Sequence, residues 1–402
     1  MAETTKAAAA QGSVLQRILK RPITATLIAI ALGFAVAAIL LAATGYDPGA
    51  SFGALFEGVF AKPKYISNTI IKAAPIILTG VSVAFAFKTG LFNIGAEGQY
   101  LAGTICAVLV GAKLNLPAPI QIPLVVLAGV AGGAAIGAIA GFLKARFGIH
   151  EVITSIMLNW TMLYMNNFVV MSEAYHKPSS TSTLPVSDSS FTMILPHWKM
   201  SDAGLDALSG NPWLFDFLVK TDVNIAFLAA ILVAVLAWFI LYRSKLGFEL
   251  RAVGFNRDAA EFAGMPVARN TVLAMAIAGA FSGLAGALII TGIQPHSLST
   301  LAAFENYGFN GFSVALIAGS SPLGCIPAGL LFGGLLYGGQ SVQLAVGAPT
   351  DIINIMIGTI VFFVAIARVV SLIADHLERK RAERLRVVDG GPGAISSTGK
   401  EA

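Results

Sequence analysis

The sequence predicts an all-α integral membrane protein of about ten transmembrane helices, including glycine-rich broken or re-entrant segments. Of its 402 residues, 56% are hydrophobic and 12% are charged, whereas soluble domains are about 25% charged. Uncharged runs of about 20 residues, the length that crosses a bilayer, recur along the chain. Its 42 glycines suit membrane helices, which pack closely through small residues. A lipid phase explains the charge deficit, because lipid-facing helices need no polar side.

The first predicted span follows a basic arm. Residues 1–22 include Arg17, Lys20 and Arg21, and the uncharged run that follows is longer than the apolar region of a signal peptide, which has about 7–15 residues. We therefore expect a cytoplasmic N-terminal arm and then a retained transmembrane helix. The predicted spans are 23–44, 66–87, 92–112, 120–143, 152–171, 223–243, 270–292, 307–320, 326–345 and 352–373.

The basic residues of the short loops predict the orientation. Ten crossings of a transmembrane domain over 23–373 place the loop at 244–269 and the tail at 374–402 in the cytoplasm. The same count places the long polar segment at 172–222 outside. Lys62, Lys64 and Lys72 then fall outside, although basic residues normally concentrate in the cytoplasmic loops. A long lysine side chain such as that of Lys72 can still reach the membrane interface. The tail is basic and then rich in Gly and Ser, so we expect disorder there.

Glycine patterns predict how the spans pack. Gly129, Gly133 and Gly137 recur every four residues, so they share one helix face. Such a face permits tight packing, and a sliding face used in alternating access is the functional alternative. The pair of spans near 307–345 is interrupted at 320–324 by Ser-Ser-Pro-Leu-Gly, which indicates two short helices or a re-entrant pair.

Several classes of function lack a motif. The sequence contains no Gly-x-x-x-x-Gly-Lys-Ser/Thr, so the chain carries no P-loop ATPase of its own. His-Glu-x-x-His and Gly-x-Ser-x-Gly are also missing, and the five histidines are scattered. We therefore expect no enzyme and no cofactor or metal bound by this chain. The net charge of +5 comes from basic residues at span ends, so it predicts topology and not nucleic-acid binding.

Two polar clusters interrupt the spans in the first half of the chain. Asn93, Glu97 and Gln99 lie within seven residues at the edge of a span. They fit a polar helix start with Asn93 as the cap, or a broken helix that lines a translocation path. Asn159 and Trp160 lie in a later span, where a buried Asn either cross-links helices or lines a path. Glu97 alone looks intramembrane among the ionisable residues, which weakens an ion-driven mechanism.

A third polar cluster contains Asn306, Phe309 and Asn310 at the start of the broken span near 307–320. It fits an irregular loop or part of a solute path. Aromatic faces with amide groups suit stacking and edge hydrogen bonds to a nucleobase or a sugar.

The basic loop at 244–269 has the features of a short docking helix. Asn256 can cap a helix that starts near Arg257, and Gly264 can end it. Such a helix is amphipathic and too short to cross a bilayer. It could lie on lipid or dock into the groove of a partner protein.

Four segments resemble the permease subunits of bacterial ABC importers of the branched-chain amino acid and ribose type, nearest to the nucleoside (or simple sugar) subgroup. They are FNIGAEGQ at 92–99, EVITSIMLNW at 151–160, RAVGFN at 251–256 with the two alanines at 259–260, and GFNGFSVAL at 308–316. Their order and spacing match over about 65–370.

The resemblance implies a permease of the bacterial cytoplasmic membrane that pairs with a second, different permease and contacts an extracytoplasmic substrate-binding protein. Separate ATPase subunits would bind ATP and Mg and drive it. Nucleosides are the first choice of substrate, then sugars such as ribose, then branched-chain amino acids. The alternative is a stand-alone facilitator or secondary transporter.

The resemblance also assigns roles to residues. The residues expected in the coupling contact with the ATPase are Arg251, Gly254, Asn256, Ala259, Ala260 and Gly264. The residues expected along the substrate path are Asn93, Glu97, Gln99, Asn159, Trp160, Asn306, Phe309 and Asn310.

Overall fold

The computed structural model describes residues 22–366, with side chains from residue 27 onward, and this part of the chain is helical. Its fifteen α-helices are α1 (Pro22–Ala43), α2 (Pro48–Phe60), α3 (Pro63–Lys88), α4 (Ala96–Gly111), α5 (Ala118–Phe147), α6 (Glu151–Met171), α7 (Asp202–Ser209), α8 (Pro212–Leu218), α9 (Ala226–Arg243), α10 (Lys245–Phe255), α11 (Arg257–Phe262), α12 (Val267–Gly292), α13 (Tyr307–Ile317), α14 (Cys325–Val346) and α15 (Thr350–Ala365). Extended pairing within the described range is limited to isolated bridges. The all-α prediction is confirmed, while the basic tail and all but the last residue of the arm lie outside the described residues.

Five of the described helices are long and apolar enough to cross a membrane, namely α3, α5, α9, α12 and α14. Shorter apolar helices cover 27–43, 307–317 and 350–365. Each predicted span contains a helix, so the chain is a multi-pass membrane protein. The count of about ten crossings stays a prediction. Several of these helices have fewer residues than a bilayer crossing needs, which is about 20.

Several helices lie outside the predicted spans. α2 begins with a proline, which suits the first turn because that turn lacks a hydrogen-bond acceptor for its N–H. It buries Leu55 and Val59 and has 13 residues, too few to span. The 172–222 segment, expected as a polar loop, contains α7 and α8. Asn211 caps α8 by accepting a hydrogen bond from the N–H of Leu214 at 3.2 Å.

The described residues divide into two compact units. The smaller unit comprises 22–48 and 351–366, and its α1 meets α15 at Gly33, where an added Cβ would lie 3.0 Å from the Cα of Ile360. The larger unit covers 49–350 and contains every candidate site residue named above.

The larger unit is organised around α12, which packs most extensively against α5. The predicted glycine face of α5 forms this contact: a Cβ added to Gly133, Gly279 or Gly283 would overlap the backbone of the facing helix, and one added to Gly129 would lie 2.6 Å from the Cβ of Ala287 on α12. The packing interpretation of the glycine pattern is therefore confirmed.

The glycine-rich pair near 307–345 consists of two separate helices, the short α13 and the longer α14. The chain between them turns through Gly319 and Ser320, which have φ angles of 61° and 58°. Left-handed residues cannot continue a right-handed helix, so α13 ends at Ile317, earlier than predicted.

Candidate transport site and coupling segment

The predicted cluster around Asn93 is a buried amide pair. Asn93 Nδ2 donates to Gln99 Oε1 at 2.9 Å, and Gln99 Nε2 donates to Asn93 Oδ1 at 3.0 Å. Both side chains are buried. The expectation that Asn93 caps α4 is wrong: the helix begins at Ala96 with Gly95 as its cap, because the Asn93 amide is already engaged with Gln99.

Glu97 joins the start of α4 to the start of α13. Its Oε1 accepts the backbone N–H of Asn306 at 2.9 Å, and its Oε2 accepts that of Gly308 at 2.6 Å. A carboxylate is stabilised there by the unpaired N–H groups and by the helix dipole. We call this contact the Glu97 clamp. Glu97 is fully buried, as a clamp requires, and lies in the first turn of α4 as the sequence predicts.

Close backbone packing supports the clamp. A Cβ added to Gly308 would lie 2.5 Å from the Cα of Glu97, so only glycine lets α13 approach α4 this closely. On the other side, Thr79 of α3 donates its hydroxyl to the carbonyl of Tyr307 at 2.8 Å. The start of α13 is therefore held between α3 and α4.

Asn159 fastens α4 to α6. Its Oδ1 accepts the N–H of Gly98 at 2.8 Å, and its Nδ2 donates to the carbonyl of Ile94 at 3.1 Å. Of the two interpretations of Asn159, this geometry favours the cross-link between helices.

Trp160 and Phe309 are joined through Phe304, which sequence reasoning did not single out. The ring centroids of Trp160 and Phe304 are 4.8 Å apart, and those of Phe304 and Phe309 are 5.6 Å apart. Trp160 is 45% exposed. Asn310 donates its backbone N–H to the carbonyl of Asn306 inside α13. The path roles of Trp160, Phe309 and Asn310 stay predictions.

A cavity of about 210 Å³ lies beside the clamp, where α3, α4, α6, the last turn of α12 and the start of α13 converge. We call it the Glu305 cavity. The side chains that give it its chemical character are Lys72, Tyr100, Thr104, Asn166, Glu305 and Tyr307. Tyr100 donates its hydroxyl to Glu305 Oε2 at 2.8 Å, and the rings of Tyr100 and Tyr307 are 5.2 Å apart.

Sequence reasoning missed this cavity, although a signal existed. Tyr100 follows Glu97 by three positions and Thr104 follows Tyr100 by four, helical spacings that place all three on one side of α4. Glu305 and Tyr307 flank Asn306. Three residues of the cavity, Tyr100, Glu305 and Tyr307, are thus immediate neighbours of predicted residues. One ammonium and one carboxylate balance its formal charge, and hydroxyls, amides and an aromatic face complete it, which suits an uncharged polar solute.

The coupling segment, residues 245–264, consists of α10 and α11 joined at Asn256. Asn256 Oδ1 accepts the N–H of Ala259 at 3.0 Å, so the predicted helix cap is confirmed. Ala260 is buried, and Gly264 follows α11 with a φ of 79°. Arg251 lies over the ring of Tyr242, 5.0 Å from its centroid.

Two phenylalanines dominate the surface of the coupling segment, and sequence reasoning assigned a role to neither. Phe255 is 95% exposed and Phe262 is 97% exposed. Each is the last residue of its helix, Phe255 of α10 and Phe262 of α11. Large apolar side chains exposed to this degree, next to basic residues, indicate a surface that contacts a partner protein or lipid.

Gly254 connects the coupling segment to the membrane helices. It packs against the turn Thr89–Gly90, which links α3 to α4, and an added Cβ would lie 2.6 Å from the Gly90 nitrogen. The reverse contact is equally close, with a Cβ on Gly90 2.5 Å from the Gly254 Cα. Gly90 also has a φ of 74°, which side chains rarely adopt. Gly254 of α10 therefore contacts the chain that leads to Asn93 and Glu97 without room for a side chain.

Comparison with known proteins gives a family and a set of relatives. Residues 65–365 match the family described as branched-chain amino acid transport system / permease component. The chain is 38% identical to the guanosine ABC transporter permease protein NupP of Bacillus subtilis over 89% of this chain and 97% of NupP. It is 34% identical to the nucleoside ABC transporter permease protein NupB of Lactococcus lactis over 90% and 96%. It is 31% identical to the glucose ABC transporter permease protein TsgB13 of Haloferax volcanii over 85% and 86%.

Proposed function

Because the chain belongs to the branched-chain amino acid transport system / permease component family, we propose that it is the membrane-spanning permease subunit of an ABC importer and translocates nucleosides. The observation that carries the ABC assignment is the coupling segment. Phe255 and Phe262 form an exposed docking surface, and Gly254 on the same segment touches the turn between two membrane helices. A stand-alone carrier has no need of such a surface.

The substrate class is supported by the relatives. NupP is a guanosine permease and NupB a nucleoside permease, and both match this chain over most of its length. TsgB13, a glucose permease, keeps simple sugars as the second candidate. Guanosine and glucose both carry adjacent hydroxyl groups on a sugar ring. The balanced charge and aromatic wall of the Glu305 cavity suit a neutral nucleoside.

The proposed assembly follows from the family. Two ATPase subunits hydrolyse ATP with Mg and bind the coupling segment. A second, different permease completes the membrane part, and a substrate-binding protein delivers the solute on the outer side. The N-terminus and C-terminus lie in the cytoplasm, as the basic residues near both ends predict.

The proposed mechanism is alternating access without chemistry in this chain. Closure of the ATPase subunits moves α11 and α10, and Gly254 presses on Thr89–Gly90. The displacement passes to the buried Asn93–Gln99 pair and through the Glu97 clamp to α13, which forms one wall of the Glu305 cavity. ATP binding shifts the population between two arrangements of these helices because the ATPase subunits hold one of them more tightly.

Uptake by cells tests the proposal. Labelled guanosine, adenosine, ribose and leucine are offered to cells with the chain present or deleted, and with the ATPase in its normal or hydrolysis-deficient form. We expect guanosine and adenosine uptake to fall to background with either defect, while leucine uptake is unchanged. Nucleoside uptake that survives the ATPase defect would favour the facilitator and remove the role of the coupling segment. Loss of ribose uptake alone would favour the sugar alternative.

A further inference from the structure

We propose that the Glu305 cavity is a solute-binding site within this chain, in which the Glu305 carboxylate accepts hydrogen bonds from two adjacent hydroxyl groups of a nucleoside's sugar. The accessible face of Tyr307 stacks on the solute. This inference rests on the proposed function, and it adds the residue that recognises the solute and the part of the solute it reads.

The hydrogen bonding of Glu305 leaves acceptor capacity toward the cavity. Its Oε2 accepts the hydroxyl of Tyr100. Its Oε1 accepts no hydrogen bond from any residue that the structure describes, and the side chain is exposed. A carboxylate can accept about four hydrogen bonds, so two hydroxyl donors can be added. Hydrogen bonds from hydroxyls to a carboxylate are short and strong because the acceptor is charged.

The carboxylate is held in a fixed position. Tyr100, its partner, is fully buried in α4. The next residue, Asn306, has a left-handed backbone with a φ of 67°, and its N–H is bound by Glu97. Tyr307 is fixed through the bond from Thr79 to its carbonyl. A group positioned in advance binds a solute without the cost of ordering it, which favours recognition at this point.

The charges in the cavity select an uncharged solute. Lys72 is near enough to interact electrostatically with Glu305 and Tyr307. No ion pair between Lys72 and Glu305 occurs within 4.0 Å in the described part of the chain. The two charges balance, so neither an anionic nor a cationic solute gains from the cavity as a whole. A phosphorylated nucleoside would place its negative charge beside Glu305, so the site favours the nucleoside over the nucleotide.

The aromatic wall has one usable face. Tyr100 is inaccessible, whereas Tyr307 is only partly buried and lines the cavity. Stacking on an aromatic ring tolerates different bases, because every base has a π face. Tyr307 therefore supplies affinity, and Glu305 supplies the selection for hydroxyl groups.

Binding to the assembled transporter tests the inference without the binding protein, which makes its own selection. The permeases with their ATPase subunits are placed in lipid nanodiscs, and binding of tritiated guanosine is measured with unlabelled guanosine or 2′,3′-dideoxyguanosine as competitor. We expect the wild type to bind dideoxyguanosine at least about tenfold more weakly than guanosine, since two charge-assisted hydrogen bonds are lost. In Glu305→Gln, guanosine binding should weaken about tenfold and the two competitors should become nearly equal.

Two further variants make the test decisive. Glu173→Gln removes an exposed carboxylate outside the cavity and should leave both affinities unchanged. Tyr100→Phe keeps the ring but removes the bond to Glu305, and should reduce the preference for guanosine about threefold. If the Glu305→Gln transporter does not assemble, the Tyr100→Phe variant provides the test in its place.

Three results would overturn the inference: no guanosine binding by the wild type, unchanged preference in the variants, or an equal loss for both ligands. The proposed function fails separately, through an absence of ATP-driven nucleoside uptake.

Discussion

The coupling segment and the Glu305 cavity lie near opposite ends of α12, a helix of 26 residues that is about 39 Å long at a rise of about 1.5 Å per residue, and they are built from different contacts. At the coupling end, Gly254 meets Gly90 backbone to backbone, and the apolar side chains point outward. At the cavity end, polar side chains such as Glu97 bind backbone groups of the next helix. In the proposed mechanism the first contact transmits a push, because closely packed atoms cannot overlap. The second fixes a wall, because hydrogen bonds are directional.

The largest effect on transport is expected from a substitution that breaks the contact at the coupling end. Gly254→Ala places a methyl group within 2.6 Å of the Gly90 nitrogen, so α10 must shift away from the turn. We expect nucleoside uptake to fall to background while the ATPase subunits still bind and hydrolyse ATP. The overpacking itself should cost about 1–3 kcal/mol of stability.

The matched control is Gly210→Ala in the 172–222 segment. An added Cβ there has nothing within 4 Å and the backbone is not left-handed, so transport should be unchanged. Uptake and ATP hydrolysis are measured on the same purified complexes. Normal uptake in Gly254→Ala would show that the push does not pass through this glycine pair.

The next largest effect is expected from a substitution that breaks the Glu97 clamp, at the cavity end. Glu97→Gln keeps the shape but turns an amide NH₂ toward backbone N–H donors, so at least one hydrogen bond to Asn306 or Gly308 is lost. Because these bonds involve a buried charged acceptor, we expect a loss of about 1.5–3 kcal/mol in stability. Uptake should fall as the cavity wall loosens. Thermal unfolding in detergent measures the first effect.

Glu173→Gln is again the control, since surface substitutions are usually within about 0.5 kcal/mol. A Glu97→Gln variant with unchanged melting temperature and uptake would contradict the clamp.

A third prediction sharpens the comparison by testing the exposed surface. Phe255→Ala and Phe262→Ala should each weaken binding of the ATPase subunits about tenfold or more. This is the loss expected for aromatic side chains that become buried when the two proteins bind. Phe60→Ala at the end of α2 removes another exposed phenylalanine, 66% accessible, and should have no effect. Pull-down of the ATPase subunits from detergent extracts compares the three. Equal binding in all would mean that the two phenylalanines contact lipid or another subunit.

The comparison of the two ends also explains what could be predicted from sequence. Hydropathy located the helices because burial in lipid depends on composition over about 20 residues. The Asn256 cap was predictable for a similar reason, since its hydrogen bond to Ala259 is local. The role of Asn93 could not be predicted in this way. Its side-chain amide pairs with Gln99 and therefore does not cap α4, and the same seven residues fit a helix start with or without an Asn93 cap.

Long-range partners set the limit of sequence reasoning. Glu97 and Gly308 are more than two hundred positions apart, as are Tyr100 and Glu305, so no local pattern connects the partners. The family resemblance indicated that both segments matter, but not that one caps the other. Phe255 and Phe262 were missed because an apolar residue in an amphipathic helix looks buried until the fold leaves it uncovered.

The smallest expected effect separates local stability from coupling. Asn256→Ala and Asn211→Ala each remove an N-cap hydrogen bond, to Ala259 and Leu214 respectively, and each should cost about 1 kcal/mol of stability. Only Asn256 orients α11 within the coupling segment, so only its loss should reduce uptake, about two- to threefold, with ATP hydrolysis less tightly coupled to transport. Uptake per ATP hydrolysed is the measurement. An equal decrease in both variants would assign the effect to general stability, and the position of α11 would then not limit transport.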